Sequence, residues 1–255
     1  MRDVLYTFLF SIGFNVAMFI PAFIYKTDKL TDISYAITFL AVAAFGYTRS
    51  DQEFPHIALT FMIFLWASRL GIFLYRRILR MKHDKRFDGM REKFFKFLGF
   101  WLIQAITVPV VMISAILFFD QKDVSISVLS YFGLAVFLSG LIIEAVADNQ
   151  KFVFSGDPKN KDTWIDTGLW SISRHPNYLG EMMVWTGVYL FVVSSLPWTS
   201  RYVALLSPAY IIGLLLFVSG VPLREKSADK KWGDNPLYKK YKKSTPVLVP
   251  FIRSK

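Results

Sequence analysis

Apolar runs of near-spanning length recur through the first 221 of 255 residues, at 5–24, 33–47, 57–74, 94–119, 128–147, 182–196 and 203–221. A stretch of about 20 apolar residues crosses a bilayer as a helix. Inside hydrocarbon a helix is the element that satisfies every backbone N–H and C=O within itself. With 54% hydrophobic residues and 19% charged, the chain reads as an all-α integral membrane bundle. About seven transmembrane helices are expected, with six as the alternative. No linker rich in Pro, Gly or Ser, no low-complexity tract and no internal repeat interrupts it, so residues 1–255 are expected to form one domain.

The first run has no small-residue cleavage pattern, and Lys26, Asp28 and Lys29 follow it directly, so it reads as a span rather than a cleaved signal. Cysteine is absent, which excludes disulfides and thiol catalysis. The three histidines, His56, His83 and His175, show no metal-ligand spacing, and a metal centre is not expected. The net charge is +11. With seven helices and the N-terminus outside, the basic residues of 76–93, 148–174 and 224–255 fall on one side. The positive-inside rule makes that side cytoplasmic, with the C-terminus there. Such a face suits anionic lipid. It also suits a phosphate-bearing cofactor, through charge-assisted hydrogen bonds. The basic residues flank membrane segments, which gives nucleic-acid binding no support.

Polar groups within apolar helices are costly and mark candidate sites. Arg174, His175, Asn177 and Glu181 crowd the start of one apolar run, with Pro176 predicted near the first helical turn. A helix N-terminus offers free N–H groups to a phosphate or an amide carbonyl. Glu144 and Asp148 lie four apart near the end of another run and share a helix face. Arg86 and Arg91 belong to an Arg-dense loop, and Arg suits bidentate phosphate recognition. Glu225 follows the last run. Tyr238 and Tyr241 lie three apart on an expected amphipathic helix, where they either anchor at the interface or close over a ligand.

The segments Ala147, Asp148, Gln150; Gly168, Leu169, Trp170; and Arg174, His175, Pro176, Asn177, Tyr178, Gly180, Glu181 with Trp185 resemble the C-terminal domain of the steroid 5α-reductase family. The likeness is nearer its bacterial branch, long labelled a domain of unknown function, and it covers roughly the last half of the chain. It implies an NADPH-dependent reductase of the C=C bond of a 3-oxo-4-ene steroid-like or related lipid enone. By resemblance the cofactor contacts are Arg86, Arg91, Glu144, Asp148, Lys151, Trp164, Arg174, His175, Asn177, Tyr178, Glu181, Glu225, Tyr238 and Tyr241. Eukaryotic members use a Gln-Glu pair on the second helix and a tyrosine on the third. Gln52 and Glu53 mimic that pair but fall at the expected external end. Asp32 is therefore the candidate acid, on the view that a carboxyl in an apolar pocket can donate a proton. Tyr35, with Tyr75 as the alternative tyrosine, joins Asp32 and Glu181 as a catalytic candidate, and Trp66 with Asp32 as a substrate contact. A bacterial inner membrane follows from the same likeness. The chain also resembles isoprenylcysteine-type and phospholipid methyltransferases, which use S-adenosylmethionine. They share the Arg-His-Pro-x-Tyr-x-Gly run at Arg174–Gly180 and a late glutamate after Gly-x-Pro, matched here by Gly220, Pro222 and Glu225.

Overall fold

The computed structural model describes residues 2–81, 84 and 87–250. Among these there is no strand. The helices are α1 (Arg2–Ile24), α2 (Lys29–Arg49), α3 (Phe54–Met81), α4 (Phe94–Val111), α5 (Ile113–Phe119) and α6 (Val128–Gly156). Then follow α7 (Pro176–Val192), α8 (Trp198–Ala204), α9 (Leu206–Gly213), α10 (Val221–Trp232) and α11 (Pro236–Ser244). Six stretches are long and apolar enough to cross a membrane: α1, α2, α3, α4, α6 and the succession Trp198–Trp232. The protein is an all-α integral membrane protein. The remaining expected span falls in α7, whose 17 residues are short of the usual length.

The described residues gather into two units, one drawn from Met1–Phe132 and Val188–Ser207, the other from Gly133–Gly187 and Pro208–Lys255. In the first, α1 packs on α2 and α4, and α2 on α3. Its core holds Phe19, Ala22, Phe87, Phe97 and Trp101. Buried amides cross it: Gln104 Nε2 donates to Asn15 Oδ1 at 2.8 Å, and Asn15 Nδ2 to Thr38 Oγ1 at 3.3 Å.

The run 94–119, expected as one helix, is broken between α4 and α5. Pro109 has no N–H, so the carbonyl of Ala105 loses its helical partner. The Ser11 hydroxyl donates to that oxygen instead, at 2.7 Å. The same repair recurs between α8 and α9. Pro208 frees the Ala204 carbonyl, and Ser114 Oγ donates to it at 2.7 Å. At membrane depth such freed carbonyls must find a donor within the protein.

In the second unit α6 and α7 run antiparallel in very close contact. A Cβ on Gly180 would stand 2.7 Å from the Gly140 carbonyl oxygen and 2.6 Å from the Glu144 nitrogen. One on Gly187 would stand 2.7 Å from the Gly133 oxygen. Only glycine lets the two backbones meet this closely. After α9 the chain passes through a π-helical turn, Leu214–Val218, and breaks at Ser219 and Gly220. The polar helix α10 starts there and carries Glu225.

Candidate functional site

Residues 168–175 connect the 3-10 turn Gly168–Ser171 to α7. Gly168 adopts φ +59°, a left-handed conformation open to glycine, and a Cβ there would strike the Gln150 side chain. Gln150 Oε1 in turn accepts from the Leu169 amide at 3.0 Å. Trp170 Nε1 donates to the Ala147 carbonyl of α6 at 3.1 Å. From the other side, Tyr241 Oη donates to the Trp170 carbonyl at 2.7 Å, and the Arg174 amide donates to the Pro246 carbonyl at 2.9 Å. The segment is thus clamped between α6 and the residues around α11.

That clamp presents Arg174 and His175 to Glu225. Arg174 Nη1 donates to Glu225 Oε2 at 2.6 Å, and His175 Nε2 lies 2.9 Å from Oε1. A carboxylate only accepts, so His175 donates through Nε2. Lys242 of α11 reaches Glu225 at 3.1 Å and Asp229 at 2.6 Å, which ties α11 to α10. Tyr178 stacks on the His175 ring, centroids 5.4 Å apart.

Burial lowers the His175 pKa below its ordinary value, against the opposing pull of Glu225. The unfolded chain therefore binds the extra proton more readily, and stability rises with pH across this interval. The contribution is present above about pH 6.5 and is lost as pH falls from there toward the folded-state value. We expect the melting temperature to drop on acidification below about pH 6.5, as stability falls by at most ~1.4 kcal/mol per pH unit for one proton. His175→Gln should flatten this dependence; an unchanged slope would reject the assignment. Burial also raises the Tyr241 phenol, keeping it protonated as a donor.

Arg174, His175, Glu225 and Tyr241 line a cleft of about 420 Å³. Its cations are Lys151, Lys161, Arg174, Arg224 and Lys231, against the carboxylates Asp162 and Glu225. Aromatic faces come from Trp164, Trp170, Trp232, Tyr238 and Tyr241, with Trp164 edge-on to Tyr238 at 5.2 Å. Two buried donors of lining residues, Trp164 Nε1 and Arg174 Nε, have no partner among the described residues. Unmet buried N–H groups are costly, and a ligand acceptor would satisfy them.

A protein family's sequence pattern matches residues 18–245. The chain belongs to the DUF1295 family, described as a protein of unknown function. No curated protein and no solved structure matches it.

In this DUF1295 protein the cleft brings together Lys151, Trp164, Arg174, His175, Glu225, Tyr238 and Tyr241 of the residues expected from sequence. Asp148 and Asn177 form a separate pair on α6 and α7, with Asn177 Nδ2 donating to Asp148 Oδ1 at 3.3 Å. Glu144 is buried on the same helix where Gly180 crosses it, and Glu181 is half-buried on α7. Arg91 is engaged elsewhere, in the first unit: it donates to Asp28 at 2.7 Å, to the Asp84 carbonyl at 2.8 Å and to Asp88 at 3.3 Å. Its guanidinium holds the α3–α4 connection. Arg86 lies outside the described residues.

Asp32, Tyr35 and Trp66 also belong to the first unit. The apolar pocket expected around Asp32 is replaced by an ion pair: Arg77 Nη2 donates to Asp32 Oδ2 at 2.8 Å. Tyr35 packs edge-on to Phe39, which packs on buried Trp66 at 4.9 Å. Gln52 sits in the α2–α3 turn with φ +57°. Arg224, Lys231 and Lys161 were not among the expected ligands. For α10 the signal was legible, since Arg224, Ala228 and Lys231 recur at helical spacing and all line the cleft.

Proposed function

We propose that the protein is an NADPH-dependent reductase of a conjugated C=C bond in a steroid-like or related lipid enone. The observation that carries this is the cleft's excess of cations beside clustered aromatic rings and two buried N–H groups without a partner among the described residues. Such a lining fits a polyanionic nucleotide. S-adenosylmethionine carries a sulfonium and no phosphate, so the same excess argues against it. NADPH supplies the hydride for the β-carbon of the enone, and a proton completes the α-carbon.

Within this reading Lys151, Lys161, Arg174 and Arg224 neutralise the phosphates, and Trp164, Tyr238 and Tyr241 offer faces to the adenine. Asp148 accepts from ribose hydroxyls, while Asn177 and Glu181 serve the ribose and nicotinamide half. Glu225 orients Arg174 and His175. A donor aimed at the negative charge developing on the 3-oxo oxygen lowers the barrier to this step. Charge distribution supports an outside N-terminus and a cytoplasmic C-terminus, and likeness to bacterial reductases supports an inner membrane.

The test is ligand-induced stabilisation of the detergent-purified protein. NADPH at 100 times its Kd should add about 2.7 kcal/mol, roughly 5 °C in melting temperature. NADPH oxidation should then follow addition of a 3-oxo-4-ene steroid. The second reading, a membrane methyltransferase, is favoured by Glu225, the late glutamate after Gly220 and Pro222, which meets Arg174 and His175 of the Arg-His-Pro run. Stabilisation by S-adenosylmethionine alone would establish it and sink the reductase.

A further inference from the structure

α10 and α11 each have a face turned away from the cleft. On α10, Arg224, Glu225, Ala228, Lys231 and Trp232 line the cleft, while Leu223, Lys226 and Lys230 recur at helical spacing on the other side and are exposed. On α11, Tyr238 and Tyr241 face the cleft and Lys242 the ion pairs. Lys239, Lys240 and Lys243 share the opposite, exposed face, with exposed Leu237 at its margin. None of Lys226, Lys230, Lys239, Lys240 and Lys243 has an ion-pair partner among the described residues. Both exposed leucines are strongly so, at 57% for Leu223 and 68% for Leu237.

We infer that this outer face of α10 and α11 docks on an anionic phospholipid surface. Five unpaired lysines with two exposed leucines match what a headgroup layer offers: negative charge at the surface and hydrocarbon just beneath. Position supports it, because α10 begins after Gly220, where the apolar run 203–221 gives way to charged sequence. Lysine stems reach along apolar surface while their ammonium groups stay among headgroups. The inner faces carry the Lys242 and Tyr241 contacts, so lipid held on the outer face steadies the clamp on residues 168–175. The inference stands whichever ligand the cleft takes.

The test uses the full chain in nanodiscs of phosphatidylcholine, with or without phosphatidylglycerol. Hydrogen exchange is followed across residues 221–250. Phosphatidylglycerol should slow exchange about tenfold at low salt, and about 0.5 M salt should remove the difference. The triple variant Lys239→Gln, Lys240→Gln, Lys243→Gln should lose the difference while keeping the wild-type melting temperature in phosphatidylcholine. Identical exchange in both lipids would overturn the inference, as would a variant that keeps the full difference. Equal protection by a soluble polyanion added to phosphatidylcholine discs would overturn it too.

Discussion

Glu225→Ala is expected to destabilise the protein by about 3 kcal/mol, because removing one partner strands buried charge. Arg174 and His175 are only 8% and 6% exposed, and both depend on this carboxylate. Lys242 would lose one of its two acidic partners as well, loosening α11 from α10. The loss should appear as a lower melting temperature together with faster proteolysis around residues 221–250. Glu225→Gln keeps the shape and acceptor oxygen but not the charge, and should fall between wild type and alanine. If the alanine variant melts with the wild type, the ion cluster is not what holds the cleft.

Gly180→Leu is expected to have the larger effect and to leave little folded protein. Even a methyl group would meet the backbone of α6 at 2.6 and 2.7 Å, and backbone cannot swing aside as a side chain can. The helices must part, and every contact along the α6–α7 seam weakens with them. Overpacking of this kind costs 1–3 kcal/mol or more for small increments, and an isobutyl group is far beyond that. Gly99 is the control: a Cβ there meets nothing within 4 Å, so Gly99→Ala should be neutral or slightly stabilising. The measurement is the yield of monodisperse protein in detergent, with melting temperature for whatever survives. Similar yields for the two variants would refute the close-packed seam.

Hydrophobic length makes the long helices legible in the sequence alone. Pro176 marked the start of α7 correctly, because its fixed φ suits a first helical turn. The seam was legible in part, since Gly133 and Gly140, and Gly180 and Gly187, are each seven residues apart. Their mutual contact was not, because spacing within one helix says nothing about its neighbour. Pro109 carried a warning of the α4–α5 break, but the donor that makes the break tolerable, Ser11, lies 94 residues away. Candidate ligands divided on the same principle. The residues around Arg174 are local and announced themselves as expensive charge near a membrane helix. What they pair with is a tertiary matter, which is why Arg77 beside Asp32 and the three acceptors of Arg91 could not be read from the chain.

The long sequence distance between Arg174 and its partners also governs when the cleft can form. During synthesis the carboxylate of Glu225 follows 51 residues behind the arginine, and the Tyr241 hydroxyl emerges 71 residues after Trp170. Until then α6 and α7 can zip together through their glycines while Arg174 stands without its counter-charge and His175 without its acceptor. The nascent second unit therefore passes through a stage that is assembled along its seam and open at its mouth.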